Sequence, residues 1–421
     1  MKKIFNYALL FATVFTLSMT FTACGDDDTT GRGGGNDNKY KDRSYGNAAI
    51  DACTNVVTNF EAAYTTIASS ELNDEQEKYL YDVLKNLASN VIIPTYTDLA
   101  DDVENLEKTL NGLTVNTITQ TQIDKACADF KAARQHWERS EAFLMGAASD
   151  FDIDPTIDSW PLNRTLLLNY FNNGMDEEML DDATILGFHA LEFILFRNGQ
   201  PRKVAEFQGN DTYKNFEKIT GAQELEYAQK ICTLLKQRCF QLQVAWEGET
   251  SKNASRLAVV KNAGLDYTTE AGLSYSENLV GAGINSKSTF KSLKAAIAQI
   301  LSDDEGSCVG IANEVGTAKI ANPFAAGDVS YVESPYSYNS ITDFQDNIRS
   351  IRNVWFGSTS GSASNACFHS FFASVGSQNV NTSVEGAFND AINNIGAMPA
   401  PFVKYCCTIW NIAFEDDEDW E

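Results

Sequence analysis

The segment GFHALEFILF, residues 187–196, limits most tightly how this chain can fold. His189 and Glu192 stand three apart in a run that is otherwise apolar. Ile185, Leu186, Phe188, Leu191, Phe193, Ile194, Leu195 and Phe196 leave no polar side, and a helix apolar all round belongs in an interior. Three residues is nearly one helical turn, so the imidazole and the carboxylate share a face. Burying them is costly unless they find partners. Two partners serve: each other and a backbone carbonyl, in a structural core pair, or a metal ion. Zinc-peptidase patterns require HExxH or HxxEH, and Phe193 occupies the second histidine position of the latter. His136 and His369, the other two histidines of the chain, are remote in sequence. One imidazole with carboxylates is a hard donor set, suited to iron, manganese or calcium more than to a thiolate-type zinc site.

Helical periodicity dominates the rest. Residues 47–67 carry Ile50, Val57, Phe60 and Tyr64 on one stripe. Asn73 opens the next segment, with Glu75 and Glu77 early in it as the helix dipole favours. Pro94 predicts a kink or break near Ile93. Residues 120–145 and 221–246 read as long amphipathic helices, and further helices are expected over 289–301, 341–356, 364–375, 381–394 and 402–414. Alternating strand patterns are scarce, so the fold class is all-α, built from helical bundles. The Gly-, Ser-, Asn- and Thr-rich stretch 251–288 reads as a connection between a bundle over 45–250 and another over 289–421. RSEAFLMG (139–146) faintly echoes RSIRNVWFG (349–357), as if two related bundles each ended a helix at glycine. Between helices, the irregular segment 322–340, NPFAAGDVSYVESPYSYNS, is long enough to suggest a functional loop.

The N-terminus is an export signal. Lys2 and Lys3 precede an apolar run over 8–21, then Thr22, Ala23 and Cys24, in the manner of a bacterial lipobox with Phe21 in place of the usual Leu. Residues 1–23 would be removed and Cys24 would carry the lipid. The run is short for a spanning helix, which needs about 20 residues. Residues 24–44, opening Gly25, Asp26, Asp27, Asp28, are too polar to fold and read as a tether. A net charge of −25 with an acidic tail, Glu415 to Glu421, argues against nucleic acid as a partner. The spacing of the remaining cysteines reveals no disulfide framework. Cys232 and Cys239 would lie about 10 Å apart along a helix, too far to bridge, and most are expected to be small buried apolar residues.

A second constellation lies at 134–163, RQHWERSEAFLMGAASDFDIDPTIDSWPLN. It offers Arg134, Arg139, Ser140 and Glu141, then Asp152, Asp154 and Asp158 beside Trp160. On chemistry alone this reads equally as a helix end and a capped loop. Taken in order, however, Ser140-Glu141-Ala142-Phe143, then Asp158-x-Trp160-Pro161-Leu162, then Gly187-x-His189-x-x-Glu192 resemble the imelysin family, which is filed with the metallopeptidases. NEVGTAKIANPF (313–324) and VESPYSYNSITDFQDNIRSIRNVWFG (332–357) resemble its lipoprotein members in gut Bacteroidetes, and the acidic run after Cys24 resembles their surface-export signal. The resemblance implies two helical bundles with the GxHxxE helix near their junction, and membership of a group linked to iron uptake through an HxxE metal site.

Three functions follow as expectations. In the first, an outer-membrane-anchored lipoprotein, facing the surface or the periplasm, binds a metal ion or iron compound. His189, Glu192 and Glu141 would be ligands, with iron favoured over zinc. Arg134, Arg139, Ser140, Asp158 and Trp160 would orient them or meet an anionic chelate. In the second, a metallopeptidase uses Glu192 as general base on a water held by the His189-bound metal. In the third, a non-catalytic protein recognises a peptide, glycan or protein through 322–340.

Overall fold

Side-chain caps fix where the long helices start. Asn73, Thr119, Thr220 and Ser274 each close a capping box, taking an N–H of the first turn while the Gln or Glu three residues on returns to the cap's own N–H. The computed structural model describes residues 37–325 and 329–409, so the export signal, Cys24, most of the tether and the acidic tail lie outside the described residues. Among the described residues the fold is all-α, with one two-residue hairpin, Phe196–Arg197 against Gln200–Pro201. No helix there is long and apolar enough to cross a membrane.

The expected break at Pro94 takes a gentler form. Asp74–Leu87 runs through a π-helical turn, Ala88–Ile92, into Ile93–Asn111, with Pro94 in the first turn of the latter. Proline lacks an N–H and crowds the preceding turn, and a widened turn just upstream absorbs both effects. The helix expected over 120–145 ends sooner, at Glu138, and a 3₁₀ turn follows at Glu141–Phe143. Here the Ser140 hydroxyl donates to the Trp137 carbonyl at 2.7 Å. Such local side-chain bonds compete with a regular helix end. Gly221–Glu247 stops at Gly248 and Ser340–Phe356 at Gly357, both with positive φ. The stretch 251–288 is more than a connection. It carries the helices Ala254–Asn262 and Tyr275–Val280, and Tyr275 packs edge-on to Phe151 with its hydroxyl on Asp150. Sequence periodicity also passes over Cys308–Glu314 and the π-helical Val315–Ala321.

Packing does not follow chain order. Ile93–Asn111 lies between Gln120–Glu138 and Gly221–Glu247, and the GFHALEFIL helix, Gly187–Leu195, packs on the last two. The first long helix, Ser44–Ser69, instead lies along Gln378–Ala397 and Cys308–Glu314, with the C-terminal helices. Of its expected stripe only Phe60 is fully buried; the buried face is Ala49, Cys53, Val56, Phe60, Ala63 and Ile67. The small side chains on that face let neighbours approach, and a Cβ at Gly316 would stand 3.0 Å from Cys53 Cβ. Ser340–Phe356 packs on Gln120–Glu138, which also packs on the Gly187–Leu195 helix, and the buried acids gather around these contacts. All eight described cysteines are buried and free.

Candidate metal centre

Gly187 explains why the His–Glu helix meets Asp158. Its φ is +72°, and a Cβ there would overlap the Ile157 carbonyl. Only glycine admits both, so the backbone at Ile157, and with it the neighbouring Asp158, lies directly against the helix start. His189 Nε2 then lies 3.1 Å from Asp158 Oδ1, off the line of a hydrogen bond. Asp158 Oδ1 also pairs with Arg134, and its Oδ2 accepts from Trp137 Nε1 at 2.6 Å. The Trp160 ring packs on the imidazole with centroids 4.5 Å apart. On the other edge of the ring, His189 Nδ1 is 3.8 Å from Glu192 Oε2. Glu192 Oε1 accepts from the Ser337 N–H at 2.7 Å and the Ser337 hydroxyl at 2.6 Å.

Arg134 is the hub. Fully buried, it meets Glu138 one turn on, Asp158, Glu333 and, at 3.8 Å, Asp343. Lys319, from the π-helical turn, reaches Glu333 Oε2 at 3.2 Å and Glu314 at 3.7 Å. π turns recur at functional sites. Part of the segment 322–340, expected to be a recognition loop, faces inward, while Tyr331 is exposed. Glu333, Ser334, Ser337 and Ser340 are buried, and the Ser334 hydroxyl donates to Asp343 at 2.5 Å. Ser334 and Tyr338 hold positive φ without being glycine, the kind of strain that collects at functional sites.

The charges do not balance. Glu138, Glu141, Asp158, Glu192, Glu333 and Asp343 face Arg134, Lys319 and His189. Burial pushes Glu138 and Glu141 well above the usual carboxylate range. Burial, with Glu333 alongside, pushes Asp343 up to about 7, and burial with Asp158 alongside does the same for the half-buried Asp154. Asp158 moves the other way: burial alone would raise it, but Arg134 and His189 hold it below the ordinary range. Burial alone would lower His189, and the Asp158 carboxylate reverses that. A multivalent cation would relieve the same imbalance without protons.

The donor set fits one. Single atoms from Asp158, His189 and Glu333 lie within 4.8 Å of one another, as do atoms from Glu138, Glu141 and Asp158. Glu192 Oε2 is buried without a hydrogen-bond partner, and His189 Nε2, Glu333 Oε2 and Glu138 Oε1 are buried and held only by ion pairs, with Asp158, Lys319 and Arg134. The set has one imidazole and no thiolate, as a site for a hard or borderline cation requires.

Comparison with known proteins agrees with the motifs. The imelysin profile matches residues 92–417. The chain belongs to the imelysin family. Iron-regulated protein A of Synechococcus elongatus is 23% identical over 308 residues, which are 73% of this chain and 70% of that protein. A crystal structure assigned as an iron-regulated protein A precursor, from Parabacteroides distasonis, superposes with a TM-score of 0.64 at 25% identity, covering 82% of this chain and 91% of that one. An imelysin-like protein from Psychrobacter arcticum shares the fold, with a TM-score of 0.50 at 13% identity over 82% of this chain and 95% of that one.

In this imelysin chain the residues singled out from sequence divide. Arg134, Asp158, Trp160, His189 and Glu192 come together, and Glu141 borders them beside Glu138. Ser140 spends its hydroxyl on its own helix. Arg139 faces away, pairing at 2.9 Å with Asp346 on the Ser340–Phe356 helix, as Arg349 does at 2.8 Å. Phe193 joins an aromatic group with Tyr213, Phe216 and Tyr336, under the Arg197 guanidinium. Sequence reasoning missed Glu138, Lys319, Glu333 and Asp343. An Arg134–Glu138 pair at i,i+4 in an otherwise buried stripe was a usable signal for the first. The other three lie in the stretches 313–324 and 332–357 that carry the resemblance, but no local pattern assigns them to the site.

Proposed function

We propose that this imelysin-family protein is a lipid-anchored envelope protein that binds a metal ion, iron above others, through Asp158, His189 and Glu333. The observation that carries this reading is the convergence of three donors within 4.8 Å, with His189 Nε2 and Glu333 Oε2 buried and held only by ion pairs. Iron is favoured by the mixed imidazole–carboxylate donors and by relatives named as iron-regulated. Glu192 acts one step back. Fixed by Ser337, it lies 3.8 Å away on the Nδ1 side of the imidazole, a carboxylate behind the ligand rather than on the metal side. This supports binding over peptide hydrolysis. A general base must reach a metal-bound water, and Glu192 stands at the opposite edge of the ring from Asp158. Anchoring through Cys24 to the outer membrane, on its surface or periplasmic side, accords with the lipobox and completes the reading as a component of iron acquisition.

The test is metal content of the protein purified from iron-replete cells, with calorimetry against ferrous, ferric and zinc ions. About one equivalent or more of iron is expected, with binding lost in His189→Ala. A wild-type protein that holds none of these metals under either measurement overturns the reading.

A further inference from the structure

One cluster of positive charge stands apart from the acids. Arg139, Arg349 and Arg352 share a single carboxylate, Asp346, in a chain with 57 acidic residues against 32 basic ones. Asp346 is buried and already satisfied. Its Oδ1 accepts from Arg139 at 2.9 Å and Arg349 at 2.8 Å, and its Oδ2 from Gln135 at 3.4 Å. Arg352 is left over. Its Nε is buried without a hydrogen-bond partner, and no carboxylate among the described residues pairs with its guanidinium. Burial, with Arg349 and Arg139 alongside, holds it below the ordinary arginine range, and only Asp346 opposes them. The flat of the guanidinium lies on Gly361: a Cβ there would stand 3.5 Å from its central carbon and 3.6 and 3.7 Å from its terminal nitrogens. Its N–H edges are thereby left for an acceptor. Gly361 belongs to a hydroxyl-rich loop, Ser358-Thr359-Ser360-Gly361-Ser362, of which Thr359, Ser360 and Ser362 are exposed. The Arg139 and Arg349 side chains are 30% and 24% exposed, so an ion can reach them from solvent. A half-buried cation without an acceptor, beside two others, calls for an anion.

We propose that Arg139, Arg349 and Arg352 form an oxyanion site that takes a phosphate group, with the 358–362 loop as its rim. Three guanidinium groups and one carboxylate leave two positive charges, which match a phosphate dianion. The planar guanidinium fork meets phosphate oxygens through paired N–H groups. Asp346 already orders Arg139 and Arg349, so less side-chain freedom is lost when an anion binds. Arg139 and Arg349 open the two echoing segments, 139–146 and 349–357, so both segments supply the site. It does not involve the His189 centre and stands whether or not a metal binds there. Free phosphate and a lipid headgroup present the same chemical group, and the probes below separate them.

Inorganic phosphate at low ionic strength is the first probe, and vesicles of phosphatidylcholine with and without phosphatidic acid are the second, each offered to the full chain. Calorimetry should show phosphate binding that weakens as salt screens it, and the thermal melt should rise with phosphate. Arg352→Gln should weaken that binding about tenfold or more, the loss expected for a hydrogen bond to a charged group. Without phosphate the same variant should melt no lower than the wild type, because Arg352 has no acceptor to lose and repels its neighbours. Arg352→Lys keeps the charge without the fork and should bind between the two; it takes the place of Arg352→Gln should the latter not fold. His189→Ala should bind phosphate as the wild type does. Co-sedimentation with phosphatidic acid vesicles, without a response to free phosphate, assigns the site to a lipid headgroup. Binding to neither probe overturns the site. Phosphate uptake unchanged in Arg352→Gln overturns it too, and its loss in His189→Ala would then place the anion on a bound metal.

Discussion

Arg134 serves as a resident counter-ion for the acids that would otherwise need a metal, and Arg134→Met tests that role. The substitution keeps much of the apolar stem and removes the charge from a side chain 1% exposed. Four carboxylates lose their partner at once: Asp158, Glu138, Glu333 and Asp343. Removing one member of a buried ion pair costs about 3–5 kcal/mol, and proton uptake by the freed acids keeps the loss near that range rather than a multiple of it. For about 370 described residues, an unfolding entropy of ~2.1 cal/mol/K per residue gives roughly 0.8 kcal/mol/K in total. The melting temperature of the metal-free variant should therefore fall by about 4–6 °C. A divalent cation returns positive charge to the same carboxylates. At a free concentration a hundredfold above Kd it adds ~2.7 kcal/mol, or roughly 3 °C. With the competing guanidinium gone, the shift should be at least as large in the variant as in the wild type. Circular-dichroism melts at pH 7, with and without manganese or ferrous ion, read both effects. Equal melting of the two metal-free proteins refutes the counter-ion role. A cation shift confined to the wild type shows instead that Arg134 organises the ligands rather than competing for them.

Other perturbations separate packing from chemistry. Gly187→Ala combines a positive φ with overlap on the Ile157 carbonyl, and should cost about 1–3 kcal/mol from the backbone alone plus the overlap. Gly386→Ala, with open space around it inside the Gln378–Ala397 helix, should stabilise by ~0.5–1 kcal/mol, so opposite Tm shifts are expected. Ser337→Ala removes one of the two donors on Glu192 Oε1 and should weaken iron binding by about 10–100-fold in calorimetry, with little change in Tm. Asp343, raised from 3.8 to about 7, contributes stability that is complete below pH 3.8 and lost as pH rises through 7; Glu224, raised from 4.5 to about 7 chiefly by burial, acts in the same direction. The metal-free protein should therefore melt at a lower temperature at pH 8 than at pH 5, and Asp343→Asn should flatten that slope.

Much of the fold was legible because it depends on local signals. Caps at Asn73, Thr119 and Thr220 and glycine stops at Gly248 and Gly357 are written within a few residues of the helix ends they fix. The GxHxxE segment was legible for a similar reason: apolar residues on every side of His189 and Glu192 force the pair inward wherever the helix goes. What stayed hidden is tertiary. Glu333 meets Arg134 across 199 positions, and Ser337 meets Glu192 across 145. The stretch that brings both inward resembles a surface loop by composition. Its burial follows from partners that only the folded chain supplies, among them Asp343 for Ser334 and Glu192 for Ser337. The early end of the 120–138 helix was hidden for a related reason. Its periodicity continues in sequence, but Ser140 and Glu138 take partners that halt it.

The same long separations bear on why a metal would sit here. Asp158 and His189 precede the stretch at 251–288, whereas Glu333 and Asp343 follow it. Arg134 joins the two sides by charge-assisted hydrogen bonds to Asp158 and Glu333, and the Ser350 hydroxyl joins them by accepting the Ala142 N–H at 3.0 Å. Ser140 and Ser350, partners in the faint sequence echo, each donate to the carbonyl three residues back, Ser140 in the turn after its helix and Ser350 within one. That frame holds the acids together against their repulsion, at the expense of raised proton affinities on Glu138, Glu141 and Asp343. A structure evolved only for stability would lose little by replacing such a cluster with apolar side chains of equal volume. Keeping unpaired carboxylate oxygens beside an imidazole serves a purpose once a cation displaces the protons, and a ligand bound across both segments then tightens the whole molecule in proportion to its affinity.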